Sequence, residues 1–300
     1  MQKRAPITPI TAGFLFALAS SALFAIRPIF VKLVYAEGVD PTTLIALRML
    51  FSAPIYAALL WYFLRKPERR APLSARVIVQ IGGCGLLGYY SASLLDLLGL
   101  QYVTAQLGRM LLYTYPTFVV LLGAILFSER ISGRTVAALL FTYLGVAVIF
   151  GHDLDAFGPD VITGALFITA SAVSFAFYLL FGRSLITRVG SRVFTCIALL
   201  SASVGIFIHF AITHSIADSH MTAPAFWLIL LIAIFCTVIP TFFTAAAVSR
   251  IGADRTGIVA MVGPGFTSVF AVAMLGEAFT VYHLLGIALT VGGVSLLNRR

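Results

Sequence analysis

The stretch "YPTFVVLLGAILFSER", Tyr115 to Arg130, sets a proline at the head of an apolar run that closes on a lone glutamate, and "GPGFTSVFAVAMLGEA", Gly263 to Ala278, repeats the arrangement. Pro264 and Glu277 lie 148 residues after Pro116 and Glu129. Either stretch alone reads as a membrane helix with an odd residue in it. Two rare letters that keep their order and spacing read as an internal repeat.

The setting of these stretches is apolar throughout. Sixty per cent of the 300 residues are apolar and 10% are charged, against roughly a quarter charged in ordinary soluble chains. Windows of about 20 apolar residues, the length that crosses a bilayer core, fall at 9–34, 42–64, 76–97, 101–127, 133–151, 161–182, 190–213, 224–247, 251–275 and 280–297. The connectors are too short to build a soluble core, so the expectation is one all-α polytopic membrane domain of ten transmembrane helices, 1–300. The run after Lys3 and Arg4 is too long for a signal peptide and is followed by more spans, so it reads as the first span.

A net charge of +9 is not a nucleic-acid signal here, because its placement alternates. Sixteen of the 20 Lys and Arg fall at the two ends or in alternate connectors (Lys3, Arg4; Arg65, Lys66, Arg69, Arg70, Arg76; Arg130, Arg134; Arg183, Arg188, Arg192; Arg250, Arg255; Arg299, Arg300), while the intervening connectors carry only groups such as Glu37, Asp40, Asp153, Asp155 and Asp218. That is the positive-inside pattern with both termini cytoplasmic. The lipid bilayer is the implied surroundings, and no nucleic-acid partner is expected. Cys84, Cys196 and Cys236 lie within spans and read as packing residues rather than disulfides.

Aligning 105–146 with 253–294 gives seven identities in 42 positions, Pro116/Pro264 and Glu129/Glu277 among them; aligning "GFLFALASSALFAIRPIFVK" from Gly13 with "GALFITASAVSFAFYLLFGR" from Gly164 gives eight in 20. The halves are therefore 1–152 and 160–300. Five spans is an odd number, so the second half enters the membrane in the opposite sense: two inverted five-helix repeats, an organisation characteristic of secondary transporters.

Five-helix units that end in Pro, about 13 residues, Glu and a Gly-containing last helix resemble the EamA-type repeats of the drug/metabolite transporter superfamily. The chain length and the lead segment of the first span are most similar to the YddG-type amino-acid exporters of bacterial inner membranes. The resemblance implies a bacterial inner-membrane exporter of amino acids, aromatic and other neutral ones among them, working by alternating access with its site between the two halves. No cofactor is expected, and the oligomeric partner is left open by the sequence. Export of another metabolite or drug is the runner-up. An enzyme or a channel fits less well: the five histidines are dispersed, with no HExxH or cysteine cluster, and no filter-like polar loop appears.

Residue by residue, four prolines inside spans, Pro28, Pro116, Pro240 and Pro264, are expected to break their helices beside a central cavity, where freed backbone groups are tolerated. Glu129 and Glu277 follow apolar runs and precede helices, where a carboxylate favours a helix N-terminus. Arg27, Lys32, Arg48 and Arg109 stand outside the cytoplasmic set, with Asp96 as the acid near them. Intramembrane charges are functional candidates by default, and Arg27 and Arg109 suit a substrate carboxylate. Tyr89, Tyr90, Tyr113 and Tyr178, with Ser174, Thr237 and Thr241, are expected to line the substrate path, while Trp61 and Tyr62 read as interface anchors. No nucleotide-binding motif is present, and uniport and proton exchange are both compatible with the residues. The Gly-containing fifth and tenth spans are placed to pack closely against a partner.

Overall fold

The structure is a computed structural model that describes residues 9–65, 73–128, 131–214 and 221–298; Glu129 lies outside the described residues. Among the described residues, nine helical segments are long and apolar enough to cross a membrane: α1 (Pro9–Ala36), α2 (Pro41–Arg65), α3 (Ala75–Leu100), α4 (Ala105–Phe127), α5 (Gly133–Phe157), α6 (Asp160–Val189), α7 (Ser191–Thr213), α8 (Ala223–Gly252) and α9 (Arg255–Leu275). The shorter apolar helix α10 (Val281–Asn298) follows. No strand occurs among the described residues, and the protein is an all-α polytopic membrane fold.

The helix starts have ordinary chemical causes. The hydroxyls of Ser74, Thr104, Ser132 and Thr222 accept from the amides of Val77, Leu107, Thr135 and Ala225 at 3.4, 3.0, 3.2 and 3.2 Å, each satisfying one of the free donors of a first turn. α4 and α9 end alike, on the left-handed residues Ser128 (φ 56°) and Gly276 (φ 66°). Outside the spans, Asp40 accepts from the amides of Thr42 and Thr43 at 2.8 and 3.0 Å and faces His214 at 3.2 Å. Burial alone would raise this carboxyl, but the Thr43 and Thr42 bonds and the imidazole hold it below its ordinary value. Large apolar side chains such as Ile125 (76% exposed) and Ile212 (78%) point outward, which suits a lipid-facing surface.

α1 packs along α8, α3 along α6, α2 along α7 and α5 along α10, and the first half of α4 meets α9. Several contacts recur at the offsets found in the sequence. The Ser20 hydroxyl donates to the Pro240 carbonyl at 2.9 Å, and the Ser171 hydroxyl to the Ala92 carbonyl at 2.6 Å; Ser20 and Ser171 are aligned positions, and Ala92 and Pro240 stand 148 residues apart, the offset of Pro116 and Pro264. The wide-turn helical stretches Leu86–Ser91 in α3 and Ile234–Val238 in α8 begin 148 residues apart. The chain breaks in α4 at Tyr113–Thr114 and in α9 at Met261–Val262.

α5 and α10 pack closely on each other. A side chain at Gly145 would press on the Gly286 carbonyl at 2.6 Å, and one at Gly293 on the Ala138 carbonyl at 2.6 Å. Gly145, Gly286 and Gly293 are used in this contact, where backbone-to-backbone approach replaces side-chain packing.

Candidate functional site

Each of the four prolines stands in the first turn of a helical segment that starts after a break or a wide turn. Proline has no N–H to offer the carbonyl four residues back, and the consequence is visible at Pro264. The Ala260 carbonyl accepts instead from the Tyr113 hydroxyl at 2.7 Å, with the Ser21 hydroxyl at 3.3 Å. The break in α9 thereby ties α4 and α1 to one exposed backbone oxygen. In α1 the Ala25 carbonyl, just before Pro28, accepts from Thr267 at 3.0 Å.

The break in α1 aims Arg27 at α3, where its guanidinium donates to Asp96 Oδ2. Asp96 is 4% exposed, so this is a shielded pair of the charge-assisted kind. Arg109 is in the first segment of α4. Its guanidinium carbon lies 5.0 Å from the centre of the Tyr113 ring, a cation–π distance, while its Nε is buried and has no hydrogen-bond partner. Arg27, Asp96 and Arg109, with Pro28, Leu100, Gly108 and Leu112, border one cavity of about 10 Å³, room for a single water. The two arginines do share a cavity, and it is small. Arg48 is 2% exposed with its Nε unpartnered and does not border that cavity. Lys32 interacts electrostatically with Glu277 and Asp153.

Tyr89 and Tyr178 meet hydroxyl to hydroxyl at 3.1 Å, with ring centroids 5.2 Å apart. Phe175 stacks on Tyr178 at 5.4 Å, and Tyr115 meets Phe175 edge-on at 5.2 Å. An aromatic cluster from α3, α4 and α6 results, and Ser174 beside it donates to the Leu87 carbonyl at 2.8 Å.

Other expected lining residues are placed differently. Tyr90 leaves the cluster and pairs with His209 Nδ1 at 3.1 Å, because consecutive residues of a helix point in different directions. The Thr237 and Thr241 hydroxyls donate to their own helix, to Ile232 O at 3.0 Å and Thr237 O at 2.7 Å, the usual use of a threonine inside a helix. Tyr115 and Phe175 were not singled out from the sequence; the proximity of Tyr115 to Pro116 was the available signal.

A larger cleft of about 420 Å³ lies between α3 and α6, bordered by Gln80, Gly83, Leu87, Phe181 and Ser184. It carries no charged side chain. Two further sequence readings change. Glu277 does not serve the helix that follows it: its carboxylate accepts from the amides of Ala105 at 2.7 Å and Gln106 at 3.4 Å, at the start of α4. The histidines are not all dispersed, since the close α5–α10 packing brings the His152 and His283 rings to 5.1 Å with Asp153 between them.

This chain matches a family model described as the EamA-like transporter family twice, over residues 11–151 and 162–299. It is 26% identical over 290 residues to the uncharacterized transporter YcbK of Bacillus subtilis (strain 168), covering 95% of this chain and 92% of that one. It is 27% identical over 230 residues to a protein of Streptantibioticus cattleyicolor named a probable terminal-alkyne amino-acid exporter, covering 75% of each. A solved crystal structure superposes with a TM-score of 0.66 over 96% of both chains at 20% identity, a likeness of fold.

Proposed function

We propose that this chain, which belongs to the EamA-like transporter family, exports amino acids across a bacterial inner membrane by alternating access. That the protein is a multi-pass membrane transporter follows from the family; the cargo, direction and orientation are our reading. The observation that carries the cargo is the cavity shared by Arg27, Asp96 and Arg109. A guanidinium Nε buried without a partner is costly in a low-dielectric setting, and a carboxylate is the planar group that a guanidinium holds by two parallel bonds. The aromatic cluster of Tyr89, Tyr178, Phe175 and Tyr115 reaches the same helix, α4, and offers flat apolar surface to an amino-acid side chain. The name of the Streptantibioticus cattleyicolor relative supports the same cargo.

The mechanism rests on two inverted repeats, 1–152 and 160–300. The paired contacts of Ser20 with Pro240 and Ser171 with Ala92, and the matched breaks in α4 and α9, support that division. With both termini cytoplasmic, the arginine cavity lies in the periplasmic half and the cleft between α3 and α6 toward the cytoplasm. A cleft of about 420 Å³ falls in the size range of small-molecule sites, whereas the outer cavity has room for about one water. That difference supports a carrier that loads from the cytoplasm. The substrate's carboxylate then passes to Arg109 and Arg27 as the outer side opens.

Flux of radiolabelled amino acids from proteoliposomes tests the reading. Saturable efflux of aromatic and other neutral amino acids, competed by one another, is the expected result. Saturable flux of an unrelated metabolite or drug, with none for amino acids, would replace this cargo with the second reading.

A further inference from the structure

We propose that His152, Asp153 and His283 form a Zn²⁺ site where α5, α10 and the start of α4 meet. Asp153 Oδ1 lies 3.2 Å from His152 Nδ1 and 3.8 Å from His283 Nε2, and the three donor atoms lie within 4.8 Å of one another. Around a tetrahedral zinc, with ligands at about 2.0–2.2 Å, neighbouring donors stand about 3.3 Å apart. Small side-chain rotations therefore bring this set onto one ion, with a water in the fourth position.

The buried end of the cluster is built as a ligand set. The Asp153 side chain is fully buried and that of His283 is 2% exposed, yet His283 Nε2 has no hydrogen-bond partner and faces an oxygen too distant for one. On their far sides both ligands are oriented. His283 Nδ1 lies 2.9 Å from the Thr280 hydroxyl, and Asp153 Oδ2 accepts from the Thr104 hydroxyl at 2.7 Å, the outer partners that fix metal ligands. The Thr280 amide donates to Nδ1 at 3.3 Å, a bond of the Nε2–H tautomer that zinc binding gives up: Nδ1–H then donates to Thr280 Oγ1 and the Nε2 lone pair goes to the ion. His152, with its side chain 21% exposed, gives the route in.

Charge points the same way. Lys32 interacts electrostatically with both Glu277 and Asp153, so two carboxylates face one ammonium and the surroundings favour a cation. Two imidazoles and one carboxylate suit zinc and disfavour magnesium and calcium, which take oxygen ligands. A bound ion would clamp α5 to α10 and, through Thr104, which caps the amide of Leu107 at 3.0 Å, hold the helix that carries Arg109.

The test is calorimetric titration of Zn²⁺ alone into tag-free, chelator-treated protein in detergent, monodisperse and helical by circular dichroism. One saturable equivalent is expected, lost in His283→Gln and in His152→Gln and kept in His214→Gln. Thr280→Val should weaken it roughly 10–100-fold, as outer partners do. His152 is partly exposed, so its variant remains informative should His283→Gln fold poorly. No saturable heat with the wild type, equal binding by wild type and His152→Gln, or equal competition by Mg²⁺ would overturn the site. No transported substrate enters the experiment, so its outcome is independent of the amino-acid reading.

Discussion

The Glu277 carboxylate accepts the Ala105 amide at 2.7 Å, so the acid that closes the repeat motif of the second half caps a helix of the first. The anion sits where the free amides and the dipole of α4 favour it. Gln106 adds a second tie, donating to the Ala278 carbonyl at 3.0 Å. Glu277→Ala should cost about 1 kcal/mol, the usual loss of a cap, and lower the melting temperature in detergent by about 2–4 °C. An unchanged melting temperature would remove Glu277 from the hold on α4.

Asp96 satisfies Arg27 inside the cavity that also holds Arg109. Removing one partner of a shielded pair typically costs about 3–5 kcal/mol, so Asp96→Asn should unfold at lower temperature when empty. A substrate carboxylate then supplies the missing negative charge. The melting-temperature rise on adding saturating amino acid should therefore be larger in Asp96→Asn than in the wild type. Equal rises would mean that the ligand does not meet Arg27.

The spans were legible because a helix needs about 20 apolar residues to cross a bilayer and charged connectors mark where each one stops. The breaks at Pro28, Pro116, Pro240 and Pro264 were legible for a related reason: proline cannot donate, whatever surrounds it. The wide turns of α3 and α8 were not, since no residue type marks them. Tyr89 and Tyr90 are neighbours in the chain but meet different helices, α6 and α7, a distinction that needs the helix phase of Leu86–Ser91. Thr237 and Thr241 have hydroxyls that their own backbone takes up. Glu277 was recognisable as a helix-start acid, but only tertiary contact shows that it serves α4. His152 and His283 come together through the α5–α10 contact, which rests on Gly145, Gly286 and Gly293 and not on any pattern near the histidines.

Pro116→Ala and Pro264→Ala, singly and together, should reduce transport in correctly folded protein. In the second variant residue 264 regains an amide that competes with Tyr113 for the Ala260 carbonyl, so α9 straightens and loses its tie to α4. Tyr113→Phe should act in the same direction, removing one neutral hydrogen bond of about 1 kcal/mol. Flux at the wild-type rate in all of them would reduce the breaks to packing features.

Asp155, exposed at the end of α5, is expected on the periplasmic side. A cysteine placed there should react with a membrane-impermeant reagent applied to intact spheroplasts. Reaction only after the cytoplasmic face is opened would reverse the assigned orientation and put the arginine cavity on the inner side.

Arg109 is the residue on which the cargo reading turns. It borders the shared cavity with its Nε buried and unpartnered, and Tyr113, whose ring it faces, is held by the Ala260 carbonyl. Losing a hydrogen bond to a charged group costs about 1.5–3 kcal/mol, and each 1.4 kcal/mol is about tenfold in affinity. Arg109→Gln should weaken amino-acid binding roughly tenfold to a hundredfold, with circular dichroism and elution in detergent unchanged. An amino-acid amide, which lacks the carboxylate, should bind wild type and variant equally. If acid and amide binding fall together, the guanidinium organises α4 through Tyr113 and does not hold the substrate.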